Sequence, residues 1–166
     1  MGEANEAADR LRGDVETATR LLLGLGDSVS ELRPAPGKWS PREILGHLVD
    51  SVMVNHDRVV RAQFQDDLVF PGHDQDRWVA SQRYQEASWP ALVMLWGALN
   101  RELARVMEAV PVDLRARPRE RHNLHEIGWK KVPPGEPATL DDLLRDYVGH
   151  LEHHLAQILG PGWRVG

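Results

Sequence analysis

The sequence predicts an all-α protein, a four-helix bundle with one additional short helix. Three observations lead there. Four stretches, each about twenty residues long, repeat apolar side chains at steps of three and four, the spacing of one helix face. Residues that start or stop helices bound each stretch. No segment alternates with the period of two that a half-buried strand requires. With 166 residues, 42% of them hydrophobic and 27% charged, the chain reads as a single folded domain over 1–166 with one substantial core.

The first helix is expected from Ala4 to Leu25, where Ala8, Leu11, Val15, Ala18 and Leu22 draw an apolar stripe. The glycines of "GLGD" end it, and the prolines and glycine of "RPAPGKWS" forbid its continuation. The second helix has the clearest start signal. Ser40 stands at the N-cap, Pro41 at the first helical position, and Glu43 closes a capping box. Ile44, Leu45, Leu48, Val52, Val59 and Val60 then form a core face that runs to about Phe64. "VFPGHD" breaks the chain, and a shorter helix covers Asp74 to Tyr84.

Ser88 caps the third long helix, with Pro90 in its first turn. Leu92, Leu95, Trp96, Leu99, Leu103, Val106 and Val110 lie along one side of it, and Pro111 stops it. The stretch from Val112 to Ala138 is rich in proline and in basic residues, and is expected to be irregular. It is long for a bundle connection, and such lengths mark lids or binding segments. Thr139, with Asp142 in the capping-box position, starts the last long helix, and "GPG" after Leu159 ends it. Long connections permit crossovers as well as up-down turns, so periodicity gives the bundle without its topology.

Composition removes several functions. A formal net charge of -5 argues against a nucleic-acid binder, which presents a dominant basic face. The run "LLLGLG" from Leu21 is far too short to span a bilayer, and a cytoplasmic location is the expectation. There is no cysteine, so disulfides, thiolate nucleophiles and iron–sulfur sites are absent, and any metal site must use histidine and oxygen ligands. No phosphate-binding glycine loop, G-x-S-x-G elbow or H-E-x-x-H is present. A ferritin-like di-iron site would need E-x-x-H motifs on two helices, and only one helix is histidine-rich.

That helix carries "YVGHLEHHLAQIL". His150 and His154 are four apart and stack in adjacent turns, continuing the row Leu143–Tyr147 towards the core. His153 aligns with Asp146 and Gly149 and faces solvent. Two inward imidazoles need hydrogen-bond partners or an ion that accepts both lone pairs. The competing reading is a pair lining a wet cleft. His47, on the second turn of the second helix between Ile44 and Leu48, lies on the edge of the apolar stripe. It is a candidate third ligand, or a histidine paired with Glu43 or Asp50. His56 is its rival on the same helix, read as a core or mid-helix hydrogen-bonding residue. His73, His122 and His125 lie in loops, where solvation is the default.

"GKWSPREILGHLVDS", the long middle helix and "TLDDLLRDYVGHLEHHLAQI" together resemble the DinB-like superfamily, in particular its YfiT-type metal-dependent hydrolases. The resemblance extends from the first helix to Ile158. It implies a bundle of DinB-like type with a non-adjacent helix order, often dimeric, and a metal triad at His47, His150 and His154. Trp39 and Ser40 match the family's recurrent pair before the histidine-bearing helix, an aromatic plug and an N-cap.

Three neutral histidines leave a divalent ion at least one open position. Zinc and nickel suit such ligands best, and iron or manganese fit with additional waters. The chemistry that follows is hydrolysis of a small molecule, or transfer involving a low-molecular-weight thiol. No carboxylate is assigned as general base. Glu43 is near the ligands in sequence; Asp50 and Asp146 read as supporting or surface groups and Glu152 as solvated. "RARPRERHNLHEIGWKK" could present Arg119, Arg121, Lys130 or Lys131 to a carboxylate-bearing substrate, or be a solvated loop. Besides an enzyme, two readings stay open: a non-catalytic metal- or small-molecule-binding bundle, and a metal-free helical module.

Overall fold

The computed structural model describes residues 5–165. Four long helices form the bundle: α1 (Glu6–Ser30), α2 (Pro41–Ala62), α4 (Trp89–Ala109) and α7 (Leu140–Leu159). Three short ones, α3 (Gln75–Gln82), α5 (Val112–Ala116) and α6 (Leu124–Ile127), lie in the connections. Among the described residues there is no strand, and no helix is long and apolar enough to cross a membrane.

The start signals act as the sequence suggests. Ser40 Oγ accepts from the Glu43 N–H at 3.2 Å while the Ser40 N–H donates to Glu43 Oε2 at 2.9 Å. Thr139 and Asp142 repeat the exchange at 3.1 and 2.8 Å, so both helices that carry the histidines of interest begin with reciprocally satisfied ends. Ala4 lies outside the described residues. Asn5 caps α1 by accepting from the Ala8 N–H. The expected stop at "GLGD" is a break rather than an end. Gly26 leaves the helical region (φ 73°, ψ 168°), and one further turn continues to Ser30.

Long side chains from all four helices meet in one core, among them Leu11, Leu45, Trp96, Leu103, Leu144 and Leu151, all fully buried. Val60 and Leu95, read as core residues, are exposed instead, because each sits one position round from the buried stripe of its helix. Both α1 and α2 pack against α4 and α7, yet α1 and α2 scarcely touch. The diagonal pairs are therefore α1 with α2 and α4 with α7, and α2 lies beside α7. Tyr147 on α7 donates a buried hydrogen bond to Asn100 Oδ1 on α4, joining the other diagonal.

The 112–138 segment is more ordered than its composition suggests. Besides α5 and α6 it makes two isolated bridges, Arg119 with Ala138 and Leu68 with His122. Asn123 extends the second. Its side chain accepts from the Phe70 N–H at 3.1 Å and donates to the Phe70 carbonyl at 2.8 Å. Arg119 is buried and donates to the Ala62 carbonyl at the end of α2. It is a structural strap rather than a substrate-facing cation, and it fastens the segment over one end of α2.

Candidate metal centre

The side-by-side packing of α2 and α7 brings together three histidines that the chain separates by about a hundred residues. His150 Nε2 lies 3.2 Å from His47 Nε2 and 3.1 Å from His154 Nε2. One nitrogen from each of the three falls within 4.8 Å of the others. Hydrogen bonding alone does not satisfy this cluster. An imidazole nitrogen offers one proton or one lone pair in the ring plane, and His150 Nε2 faces two neighbours at once. An ion accepts all three lone pairs. The edges of a tetrahedral site with nitrogen ligands are about 3.3 Å, close to the two short separations. The three residues fit a divalent ion.

Supporting contacts favour the tautomer that such a site needs. His154 Nδ1 lies 2.8 Å from Gln157 Oε1, and His150 Nδ1 lies 3.4 Å from Ser51 Oγ. A proton held at Nδ1 leaves the Nε2 lone pair facing the centre. Trp39 packs against the His47 ring with centroids 5.2 Å apart, as expected of an aromatic plug. His47 Nδ1 is buried with no hydrogen-bond partner.

Burial, reinforced by the neighbouring imidazoles, pulls His47 and His150 down to about 3. Burial likewise lowers His154, against its bond to Gln157. All three are neutral imidazoles at ordinary pH. This sets a direction for stability. The folded pKa values lie below the ordinary 6.5, so as pH falls past that value the unfolded chain takes up protons that the folded one refuses. Metal-free protein is therefore expected to lose stability progressively as pH drops from about 6.5 towards about 3. The loss is visible as a falling melting temperature, and a His47→Gln/His150→Gln double variant should flatten it. An unchanged slope would show that these imidazoles are not held neutral by the fold.

The carboxylates near the ligands in sequence are engaged elsewhere. Glu43 pairs with Arg33 at 2.6 Å. Asp50 is buried and accepts from the Tyr84 hydroxyl and from Gln82 Nε2, each at 2.7 Å. Neither partners His47, so the paired-histidine reading fails. Glu152 is not solvated, since its mostly buried carboxylate pairs with Arg10 and Arg164. Asp146 accepts from the backbone N–H groups of Trp129 (3.0 Å) and Lys130 (2.5 Å), tethering that loop to α7. His153 is exposed, as expected, beside the Trp129 ring. His56 is half-buried beside the core rather than in it, outside the cluster.

The triad borders a cavity of about 350 Å³ whose wall includes His47 and His150. Sequence reasoning missed two of its features. His73, assigned to solvent, is half-buried against Trp78 with Nε2 unpartnered, and it lines this cavity. Ser51, Asn55 and Arg58 continue from His47 as a buried polar row along α2. Their steps of four, four and three were the available signal, a polar stripe inside an otherwise apolar helix face. On the other side His154 borders a second depression with Trp39 and Lys38, and Gln75 touches both.

A family model described as the DinB superfamily matches residues 8–158. No curated protein matches the sequence. Among solved structures the chain is similar to YfiT from Bacillus subtilis, described as a probable metal-dependent hydrolase with an unusual four-helix bundle topology. The identity is 19%, the match covers 97% of this chain and 86% of that one, and the TM-score is 0.76. At that identity the likeness establishes the fold.

Proposed function

The chain belongs to the DinB superfamily, and from that premise we propose that it is a metal-dependent enzyme acting on a small molecule, with His47, His150 and His154 as the ligands of a divalent ion. The observation that carries this reading is the convergence of three neutral imidazoles, two of them in the wall of a cavity. Three protein ligands leave an open position, the arrangement of catalytic rather than structural sites. The all-nitrogen set suits zinc or nickel, with iron or manganese as the remaining choices. When bound, such an ion supplies Lewis-acid polarisation and lowers the pKa of water.

The protein's own groups do the rest. Ser51 and Gln157 hold the two α7 imidazoles in orientation. Trp129, held to α7 through Asp146, forms part of the cavity wall. His73 lines that cavity as a neutral imidazole, lowered by burial and then by Arg58, and is the group placed to accept a proton there. Hydrolysis is the first reading. Transfer involving a low-molecular-weight thiol is the second, favoured by the depressions on two sides of the triad, which give two reactants separate approaches. Homodimerisation, implied by the family resemblance, belongs to the same proposal.

Protein purified without an affinity tag is expected to carry near-stoichiometric metal. It is also expected to turn over members of a panel of simple esters, amides and thiol adducts only in the metal-loaded form. Metal without turnover would leave a non-catalytic binding protein, and a wild type that binds no metal would end the proposal.

A further inference from the structure

Arg58 is a buried cation without an ion pair. It is 6% exposed, and among the described residues no carboxylate lies within ion-pair distance of it. Its Nη2 donates to the Pro71 carbonyl at 3.2 Å, while its Nε is buried with no partner. Asp146 and Asp57 are near enough to act on it electrostatically, but burial outweighs them and pulls the guanidinium below its ordinary value. Asp146 has already committed both oxygens to the Trp129 and Lys130 backbone. Glu126, the other carboxylate on the cavity wall, is exposed on α6 beside His125. Holding an unpaired charge out of water is costly unless something anionic arrives to meet it.

The position of Arg58 says where that anion would sit. Residues 47, 51, 55 and 58 share one face of α2, and all four line the cavity. Eleven residues of helix place the α-carbons of His47 and Arg58 about 16 Å apart. Both side chains lean towards the helix N-terminus, so the axial offset is largely kept. The gap from the guanidinium to the triad is on the order of 10–15 Å, the length of a small extended molecule.

We propose that Arg58 is the anchor for a carboxylate at the far end of the substrate, so that the substrate class is an elongated carboxylic acid whose reacting group lies at the triad. This rests on the metal-dependent reading for the reacting end only. Asn55, between the two ends, donates to the Ser51 carbonyl at 2.9 Å and forms the polar wall along which the molecule lies. The anchor gives a physical reason for keeping a cation with no carboxylate partner in the cavity wall.

The test has two arms. In cobalt-loaded protein, mercaptopropionate, mercaptohexanoate and mercaptooctanoate and their primary amides are titrated by the thiolate-to-cobalt absorption band. In metal-free protein, hexanoate and hexanamide are compared by the shift they produce in melting temperature. Wild type is expected to prefer acid over amide by roughly ten- to hundredfold, most strongly for the chain length that spans the gap. Arg58→Met should abolish the preference, and Arg58→Lys should keep part of it. Because the free cation is unpaired, Arg58→Met should also melt no lower than wild type without ligand. Equal binding of acid and amide by wild type, or a preference that survives Arg58→Met, overturns the proposal. So does a lower melting temperature of Arg58→Met with discrimination unchanged, which would make Arg58 a strap for Pro71. A wild type that binds no cobalt defeats the metal reading while the hexanoate arm still reports on Arg58.

Discussion

His150→Ala is expected to remove the metal. His150 Nε2 is the nitrogen common to both short separations in the triad, 3.2 Å to His47 and 3.1 Å to His154. Without it, two imidazoles on different helices remain with no shared neighbour. Loss of a supporting hydrogen bond typically costs ten- to a hundredfold in affinity, so loss of the central ligand should exceed about a hundredfold. Competition against a chromogenic chelator measures this directly. Ser51→Ala removes only the oxygen beside His150 Nδ1 and should weaken binding about tenfold. His153→Ala is the control: its ring is exposed, contacts Trp129 and Gln157, and stands outside the cluster, so the ion should stay. If His150→Ala binds as tightly as wild type, the three nitrogens are not the ligands.

Gly46→Ala should be the most damaging small change in α2. A methyl group there would sit 2.2 Å from Cγ and Cδ2 of the Tyr84 ring. The ring cannot swing aside freely, because its hydroxyl is bonded to Asp50 and to Gln82. Either that network breaks or the backbone beside His47 moves. Overpacking of this kind costs about 1–3 kcal/mol, and each kcal/mol lowers the melting temperature by about 2–4 °C in a domain of this size. Metal affinity should fall as well, since the adjoining residue is a proposed ligand. A sign reversal isolates the cause. In a Tyr84→Ala background the clash is gone, and Gly46→Ala should then stabilise by up to about 1 kcal/mol through helix propensity. Destabilisation of equal size in both backgrounds would show that the ring is not what Gly46 accommodates.

Both predictions turn on the same stretch of α2, where a sequence pattern and a tertiary arrangement meet. Ser40–Glu43 and Thr139–Asp142 are local signals, complete within four residues, and each starts its helix as read. The heptad-like row Leu143–Tyr147–His150–His154 also set which imidazoles turn inward and left His153 outside. Face geometry made His47 a candidate third ligand, and the family resemblance chose it over His56.

What the sequence by itself determined, then, was the four-helix architecture, the capped starts of α2 and α7 and the facing of the three histidines on α7. These follow from periodicity and capping, which depend on residues a few positions apart. Only the tertiary structure decided the rest. Placing α1 and α2 on a diagonal, with α2 against α7, is what brings His47 within reach of His150. The same packing occupies Glu43 and Asp50 with other partners and turns Arg119 into a strap. It also encloses Arg58 and His73 in the cavity wall. A carboxylate's or a guanidinium's role depends on which charge the fold sets beside it and how much water it leaves, and neither is written in the spacing of a single helix.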